Sequence, residues 1–233
     1  RKFFREGSRL QPADFPKIKI CCISSPAEAG LAISYGANAL GLVGNMPSGP
    51  GVISDEMIAD IQKSIPSGTD TFLLTSETSA EGIISHHSRT NTGTIQIVDR
   101  IDTTVYEKLR TGLGNVKLVQ VIHVLDENSK EEAMMYAAFA DALLLDSGNP
   151  NLETKQLGGT GRTHNWELSR SIRESVSVPV YLAGGINPSN VRQAFEFVRP
   201  YGIDLCSGVR TSGRLDEAKL KQFFAEVKRI WKK

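Results

Sequence analysis

The stretch Ala142-Leu143-Leu144-Leu145-Asp146 is an apolar run of strand length that ends in a carboxylate. A strand without polar alternation is buried on both faces, which is typical of a parallel sheet covered by helices. Seven further runs of β-type residues are predicted to be strands, and segments with helical spacing of apolar residues separate them. These strands are Lys17–Ile23, Ala39–Val43, Thr71–Thr75, Thr94–Val98, Lys117–Val124, Val178–Ala183 and Ile203–Cys206.

The intervening segments carry helix signals. Ser24 or Ser25 before Pro26, and Asn187 before Pro188, have the pattern of an N-cap followed by proline at the first helical position. Eight strand–helix units in roughly 215 residues predict a (β/α)8 TIM barrel. A doubly wound open sheet is the alternative. The predicted helices include Pro26–Tyr35, Asp55–Ile65, Lys130–Phe139, Pro188–Val198 and a last one with Leu220, Phe223, Phe224, Val227 and Ile230 on one stripe.

Length and charge exclude several classes of function. The 233 residues suit one large domain, which we assign to residues 17–233 after a polar N-terminal extension over residues 1–16. The 27 Lys and Arg residues balance 26 Asp and Glu residues, so nothing favours nucleic acid or an anionic membrane as a partner. No apolar stretch reaches the length of a bilayer helix, and the first residues lack the apolar run of a signal peptide. We therefore expect a cytoplasmic protein.

The cysteines and histidines do not indicate a metal site. Three cysteines, two of them adjacent as Cys21 and Cys22, do not match zinc spacing and are expected to be free thiols. Of the four histidines, His86 is expected to be solvated and His123 to be a core residue, and no pair has the spacing of metal ligands. We predict neither a metal nor another cofactor.

The loops after strands seven and eight are the usual phosphate site of such barrels. The first contains Gly184 and Gly185, whose lack of a Cβ lets main-chain N–H groups approach an anion next to a helix N-terminus. The second contains Ser207 and Gly208, with further amides and a hydroxyl. Paired glycines also occur in ordinary tight turns, but two such loops at the two expected positions predict a phosphate-binding site.

Two strand ends carry groups suited to acid–base chemistry. Lys19 and Cys21 share one face of strand one, and a thiol near a cation is more easily deprotonated. By alternation, only one of Cys21 and Cys22 faces the barrel mouth. Asp146 closes strand six, where it is either a loop cap or an acid whose pKa is raised by apolar surroundings. The loop of about nineteen residues that follows is long enough for a lid.

Four motifs resemble those of the phosphoribosylanthranilate isomerase family of tryptophan biosynthesis. Lys19-Ile20-Cys21-Cys22-Ile23-Ser24 resembles K-I-C-G-I-T. Leu144-Leu145-Asp146 with Gly158-Gly159-Thr160-Gly161-Arg162-Thr163-His164-Asn165-Trp166 resembles L-L-D…G-G-[ST]-G-K-x-F-D-W. Leu182–Val191 is similar to L-[SA]-G-G-L-x-P-x-N-V, and Ile203–Val209 to V-D-V-S-S-G-V. The matches occur in family order from Lys17 onward.

The resemblance implies an Amadori rearrangement of a phosphoribosyl arylamine. It assigns Asp146 as the acid that protonates the ribose ring oxygen and Cys21 as the base that removes the C2 proton. It also places the substrate phosphate on Gly184, Gly185, Ser207 and Gly208. A substrate loop would contain Gly159, Thr160, Gly161 and Arg162. The implied partner is a phosphorylated sugar or phosphoribosyl arylamine, with no cofactor.

Three positions depart from the family pattern. Gly51 stands where the family motif P-K-S-x-R-x-[IV]-S has the arginine that pairs the anthranilate carboxylate, and the second departure is Val98, where the family has the histidine of Q-L-H-G. The third is Cys22, where the family has glycine. Arg100, Arg162 and Arg210 are candidate replacement cations. The alternative to the isomerase is a divergent barrel that acts on, or only binds, another phosphosugar.

Overall fold

The computed structural model describes residues 16–148 and 165–230. Within these residues, eight parallel strands form a closed barrel in which each strand pairs with the next and the last pairs with the first. The TIM barrel is confirmed, and an open sheet is excluded. The strands are β1 (Lys17–Ile20), β2 (Ala39–Val43), β3 (Asp70–Thr75), β4 (Thr94–Ile97), β5 (Lys117–His123), β6 (Ala142–Asp146), β7 (Val180–Leu182) and β8 (Gly202–Leu205).

Helices cover the outside of the barrel. None of those in the described ranges is long and apolar enough to cross a membrane. They are α1 (Pro26–Tyr35), α2 (Asp55–Ser64), α3 (Ala80–Thr90), α4 (Val105–Leu113), α5 (Asn128–Ala137), α6 (Trp166–Ser175), α7 (Val191–Val198) and α8 (Glu217–Ile230). A 3₁₀ turn (Ser207–Val209) and a short hairpin, β9 (Arg210–Thr211) with β10 (Arg214–Leu215), connect β8 to α8. Except for Pro16, the predicted extension over residues 1–16 lies outside the described residues.

Side-chain alternation divides each strand between two cores. In β6, Leu143 and Leu145 pack in the larger core shared with the helices, whereas Ala142 and Leu144 pack inside the barrel. Asp146 continues the inward series. The same alternation turns Lys19 inward in β1 and Asp204 inward in β8, because their apolar neighbours pack in the outer core. The barrel interior therefore receives charged groups from three strands.

Several predicted element ends differ by one or more residues, and two of these differences have clear local reasons. Strand β1 ends at Ile20 rather than Ile23, because Cys22 adopts a φ of 62°, which no strand residue has. Helix α7 begins at Val191 rather than Pro188. Its N-cap is Asn190, and Asn187 instead accepts hydrogen bonds from the main-chain N–H and hydroxyl of Ser189 in a preceding turn.

Candidate active site

An open cavity lies at the carboxyl ends of the barrel strands. Five of the residues singled out in the sequence line it together: Cys21, Asp146, Gly184, Gly185 and Ser207. Gly208 is not part of this lining but lies beside it. The predicted substrate loop, Gly159, Thr160, Gly161 and Arg162, lies outside the described residues.

The two glycine-containing loops touch each other. Gly184 and Gly185 have φ values of 80° and 66°, a conformation that favours glycine. A Cβ on Gly208 would lie 2.0 Å from the carbonyl oxygen of Ile186, so only glycine fits against the neighbouring loop. The two loops thus meet at one edge of the cavity, where the phosphate site is predicted.

The expected helix N-terminus does not begin directly after the two glycines. Asn190, the N-cap of α7, donates from Nδ2 to the carbonyl of Gly185 at 2.9 Å and accepts from the main-chain N–H of Asn187 at 2.9 Å. The side chain thereby fixes the loop rather than capping the helix. The helix dipole contributes less at Gly184 than the sequence predicts, because this effect falls off within one turn.

Asp146 is buried at the end of β6, opposite His123 in the register of β5 and β6. Burial raises the pKa of its carboxyl group and nearby Asp204 adds to the rise, while the N–H of Ser147 and nearby His123 oppose it. The N–H of Ser147 donates to Oδ1 at 2.7 Å and orients the carboxyl group. The protonated form is therefore favoured over a wider pH range than for an exposed aspartate.

Cys21 lies beside a buried ion pair. Lys19 Nζ is 3.0 Å from Asp204 Oδ1, and these residues face each other across β1 and β8. Burial alone would lower the pKa of Lys19, but the charge of Asp204 and the nearby Cys21 outweigh it, so the amine stays protonated. A Cβ on Gly41 would lie 2.6 Å from Cys21 Sγ and 3.0 Å from Lys19 Nζ, so this glycine makes room for both groups.

The prediction that only one of Cys21 and Cys22 faces the barrel mouth is wrong. Both Cys21 and Cys22 line the cavity, because the positive φ of Cys22 reverses the direction that strand geometry would give its side chain. Gly51 lies directly against it, since a Cβ on Gly51 would be 2.5 Å from the Cβ of Cys22. Gly51 itself has a φ of 79°.

Two of the three candidate replacement cations already have partners. Arg210 is buried, contacts both carboxylate oxygens of Glu28, and donates to the carbonyl oxygens of Cys21 and Cys22 at 3.1 and 2.6 Å. Its role is to hold the loop after β1. Arg100 binds Glu132 through Nε and a terminal nitrogen. The third, Arg162, lies outside the described residues.

Sequence reasoning missed several residues of the cavity lining, among them Asp204, Gln96 and Cys206. All three occupy inward positions of their strands or directly continue them, so strict alternation from the known apolar neighbours would have found them. Gln96 is buried, and its Oε1 has no hydrogen-bond partner within the described ranges. It is therefore a candidate contact for a bound polar group.

The described histidines, His86, His87 and His123, are not part of the cavity lining. His86 is buried rather than solvated, because its ring nitrogens bond to Thr75 Oγ1 at 2.8 Å and Asp55 Oδ1 at 3.0 Å. His123 is a buried core residue, as predicted. In the part of the chain that the structure describes, no group of three His, Cys, Asp or Glu residues is arranged to hold a metal ion.

Comparison with known proteins identifies the family of the chain. The family model for N-(5'-phosphoribosyl)anthranilate isomerase matches residues 18–226. The isomerase of Methanocella arvoryzae is 30% identical over 216 residues, covering 93% of this chain and 99% of that protein. The crystal structure of the isomerase from Thermotoga maritima superposes with a TM-score of 0.79 at 27% identity, covering 92% of this chain and 99% of the other.

A further solved structure carries a bound ligand. It is a phosphoribosyl anthranilate isomerase in complex with reduced 1-(o-carboxyphenylamino)-1-deoxyribulose 5-phosphate, with 26% identity and a TM-score of 0.76, covering 92% of this chain and 99% of that one. The agreement extends over nearly the whole length of the relatives and includes the barrel. The chain therefore belongs to the N-(5'-phosphoribosyl)anthranilate isomerase family.

Proposed function

We propose that this chain converts N-(5'-phosphoribosyl)anthranilate into the corresponding 1-amino-1-deoxyketose, an Amadori rearrangement of tryptophan biosynthesis, in the cytoplasm. One observation carries the proposal: Cys21 from β1 and Asp146 from β6 line the same cavity, with the two phosphate-type loops between them. An acid and a base on separate strands can act on different atoms of one bound sugar, which this isomerisation requires.

Asp146 is the proposed general acid. Its raised pKa keeps a proton available, and the carboxyl group donates that proton to the ribose ring oxygen. The bond between C1 and the ring oxygen then breaks, and the arylamine nitrogen forms an iminium group with C1. Because the developing alkoxide is neutralised as it forms, the acid lowers the barrier to ring opening.

Cys21 is the proposed general base. As the thiolate it takes the proton from C2 of the opened sugar, and the electron pair moves to the iminium nitrogen to give an enaminol. Return of a proton to C1 and loss of the enol proton complete the ketose without net change in atoms. Lys19, held as an ammonium group by Asp204 at 3.0 Å, lies near Cys21 and is a positioning residue.

The phosphate of the substrate is assigned to the loops after β7 and β8. Main-chain N–H groups of Gly184, Gly185, Ser207 and Gly208, together with the Ser207 hydroxyl, are the proposed donors. Support comes from the tight fit of Gly208 against Ile186, which keeps the loops together at the cavity edge. Amide donors of this kind bind a dianion without a lysine.

The direct test is turnover of N-(5'-phosphoribosyl)anthranilate by the purified chain, measured as formation of the aminoketose phosphate. We expect turnover, and we expect the gene to restore growth of a tryptophan auxotroph that lacks this isomerase. Inorganic phosphate should inhibit competitively. Binding of phosphate without any turnover would overturn the isomerase assignment and leave a phosphosugar-binding barrel.

A further inference from the structure

The loop between β2 and α2, residues 44–54, forms one wall of the cavity. Four of its residues line the cavity: Met46, Ser48, Gly49 and Pro50. Both ends of this loop reach the same buried side chain, the imidazole of His86 on α3. His86 is not part of the cavity lining. Its ring is therefore placed to hold the loop rather than to touch a ligand.

At the first end of the loop, the ring packs against the main chain. A Cβ on Gly44 would lie 2.3 Å from Cε1 and 2.4 Å from Nε2 of His86, so only glycine fits beside the imidazole. The N–H of Gly44 donates to the carbonyl oxygen of Leu74 at 3.0 Å, which keeps this glycine beside the end of β3. The loop therefore leaves β2 in close contact with the imidazole.

At the second end, the ring is hydrogen-bonded to the first residue of α2. Nε2 of His86 lies 3.0 Å from Oδ1 of Asp55, and Nδ1 lies 2.8 Å from Oγ1 of Thr75, the last residue of β3. Arg89, one turn further along α3, donates to the second carboxylate oxygen of Asp55. A carboxylate only accepts, so Nε2–H donates to Asp55, and the neutral ring accepts from the Thr75 hydroxyl at Nδ1. The imidazole thus joins β3, α2 and α3.

This wall lies beside the end of β1 and away from the phosphate loops. The strand order places β1 between β8 and β2, and the Cys22 thiol donates to the Pro50 carbonyl at 3.6 Å. In the substrate, the phosphate is on C5 of the ribose, whereas the arylamine is on C1, next to the carbon that Cys21 deprotonates. A substrate with its phosphate on the loops after β7 and β8 therefore extends its arylamine toward residues 44–54.

We propose that His86 is a positioning residue that holds the loop of residues 44–54 as the wall against which the arylamine of the substrate binds. The imidazole fixes the loop at both ends, by packing at Gly44 and by a hydrogen bond at Asp55, and Thr75 orients the ring. The identity of the arylamine rests on the proposed function, whereas the clamp on the loop does not. Loss of the clamp lets the wall move while Cys21 and the phosphate loops keep their places.

The first measurement follows the loop by amide hydrogen exchange of the full chain without substrate. Two amides report its two ends: the N–H of Gly44, bonded to Leu74, and the N–H of Ile53, bonded to the carbonyl of Val43 at 2.9 Å. His86→Asn keeps a polar atom near the Nδ1 position and loses the bond to α2. Both amides should then exchange at least about tenfold faster, because opening the loop no longer breaks that hydrogen bond. Amides of β5 and β6 should exchange as in the parent protein.

Two further variants and a control separate the clamp from general damage. His86→Gln places an amide N–H near the Nε2 position, so it should restore the bond to Asp55 and bring loop exchange back toward that of the parent. Gly44→Ala changes no polar partner but drives a methyl group into the imidazole, and it should speed loop exchange as His86→Asn does. His87→Gln is the matched control, because the adjacent ring bonds to the Thr92 carbonyl beyond the end of α3 and should leave the loop unchanged.

The second measurement is the kinetics with N-(5'-phosphoribosyl)anthranilate. KM should rise about tenfold in His86→Asn and less in His86→Gln, with kcat within about threefold of the parent, because the lost contact holds a part of the substrate that takes no part in bond changes. Competitive inhibition by inorganic phosphate should be the same in all variants, because the phosphate loops do not touch the clamp.

The outcomes distinguish the clamp from the proposed function. Unaltered loop exchange in His86→Asn, or an equal effect of His87→Gln, would overturn the clamp. Faster exchange with no rise in KM, or with weaker phosphate inhibition, would overturn the binding of the arylamine at this wall. If the parent protein did not turn over the substrate, the isomerase assignment and the arylamine would both be refuted, while hydrogen exchange would still decide whether His86 holds the loop.

Discussion

The two sides of the cavity mouth are built from different parts of the chain. On the phosphate side, the proposed donors are main-chain N–H groups, and the requirement on sequence is the absence of a Cβ at Gly184, Gly185 and Gly208. Next to it, after β1, the groups are side chains of Cys21, Cys22 and the residues that hold them. The phosphate side therefore retains the family motif, whereas the thiol side departs from it at Cys22 and Gly51.

The difference shows how the residues of a site can change while the fold is retained. Main-chain donors are set by loop conformation, so few substitutions preserve them. A side-chain position can change when a neighbouring position changes with it. Cys22 and Gly51 illustrate this, because the Cβ of Cys22 occupies the space into which a side chain at position 51 would begin. The pair replaces the glycine and the arginine of the family motifs.

The largest effect is expected for the catalytic pair. Cys21→Ser and Asp146→Asn should each lower kcat by at least about two decades, because a positioned acid or base contributes on that scale. Thermal melting should remain close to that of the parent protein. Cys22→Ser is the matched control, since it changes the adjacent thiol in the same cavity. A silent Cys21→Ser with a damaging Cys22→Ser would reverse the assignment.

The pH profile tests Asp146 separately. The carboxyl group must be protonated to act, and burial raises its pKa, so kcat should decline as pH rises through that raised value. Asp146→Asn should abolish this decline together with most of the activity. Infrared titration of the carboxyl band, compared between the parent and Asp146→Asn, measures the same group without turnover.

The next largest effect is expected for the ion pair between Glu28 and Arg210, which holds the loop after β1. Glu28→Gln should destabilise the fold by about 3 kcal/mol, because it leaves the buried charge of Arg210 without its carboxylate. In a chain of this size, that lowers Tm by about 6–12 °C. Partial burial alone would raise the pKa of Glu28. The hydrogen bonds from Arg210 and from the main-chain N–H of Leu215 outweigh burial, so the pKa of Glu28 is lowered.

The sign of the pH dependence follows from that lowered pKa. A carboxylate with a depressed folded-state pKa stabilises the fold above its unfolded pKa, and the contribution is lost as pH falls through the folded value. The stability difference between Glu28→Gln and the parent should therefore be full at neutral pH and shrink in acid. Chemical denaturation at several pH values measures it, and a pH-independent difference would contradict the assignment.

The phosphate side is tested by Gly208→Ala. The added methyl group would lie against the carbonyl oxygen of Ile186, so the two loops must separate. We expect a loss of about 1–3 kcal/mol in stability, as in overpacked sites, with weaker inhibition by inorganic phosphate. Gly30→Ala is the matched control, because nothing lies within 4 Å of a Cβ at that helical position, and it should be neutral or slightly stabilising. Equal phosphate inhibition in both variants would remove Gly208 from the site.

The barrel, the inward series of side chains and both glycine loops could be predicted from the sequence. Strand alternation and paired glycines are local signals, and they placed Cys21, Asp146, Gly184 and Ser207 at one cavity. The positive φ of Cys22 could not be predicted, because it depends on Arg210, a residue 188 positions away, binding the Cys22 carbonyl. The start of α7 was mispredicted because Asn187 formed a turn with Ser189 in competition with the helix.

The thiol side is tested by restoring the two residue types of the family motifs, with Gly51→Arg and Cys22→Gly. Gly51→Arg alone should not increase turnover, because the new Cβ meets Cys22 and the φ of 79° strains a side chain, at a cost of about 1–3 kcal/mol. Adding Cys22→Gly removes the contact with the Cβ of Cys22 and leaves only the Cα of residue 22 close to the new Cβ, at 2.9 Å. The double variant should lower KM for the anthranilate substrate by about tenfold, the size expected of one charge-assisted hydrogen bond. An equal gain from Gly51→Arg alone would show that Cys22 does not obstruct position 51.

The smallest effect is expected for Arg100→Ala. This variant tests whether a cation outside the cavity binds the carboxylate of the substrate. Arg100 is about half exposed and its guanidinium binds Glu132, so its removal should cost at most about 1 kcal/mol of stability. KM should change less than about threefold, because an arginine bound to a carboxylate on α5 is not available to the carboxylate of the substrate. Arg162→Ala, assayed beside it, is expected to raise KM more, since Arg210 is held by Glu28 and Arg100 by Glu132. A larger rise in KM for Arg100→Ala than for Arg162→Ala would instead mean that the substrate displaces Glu132.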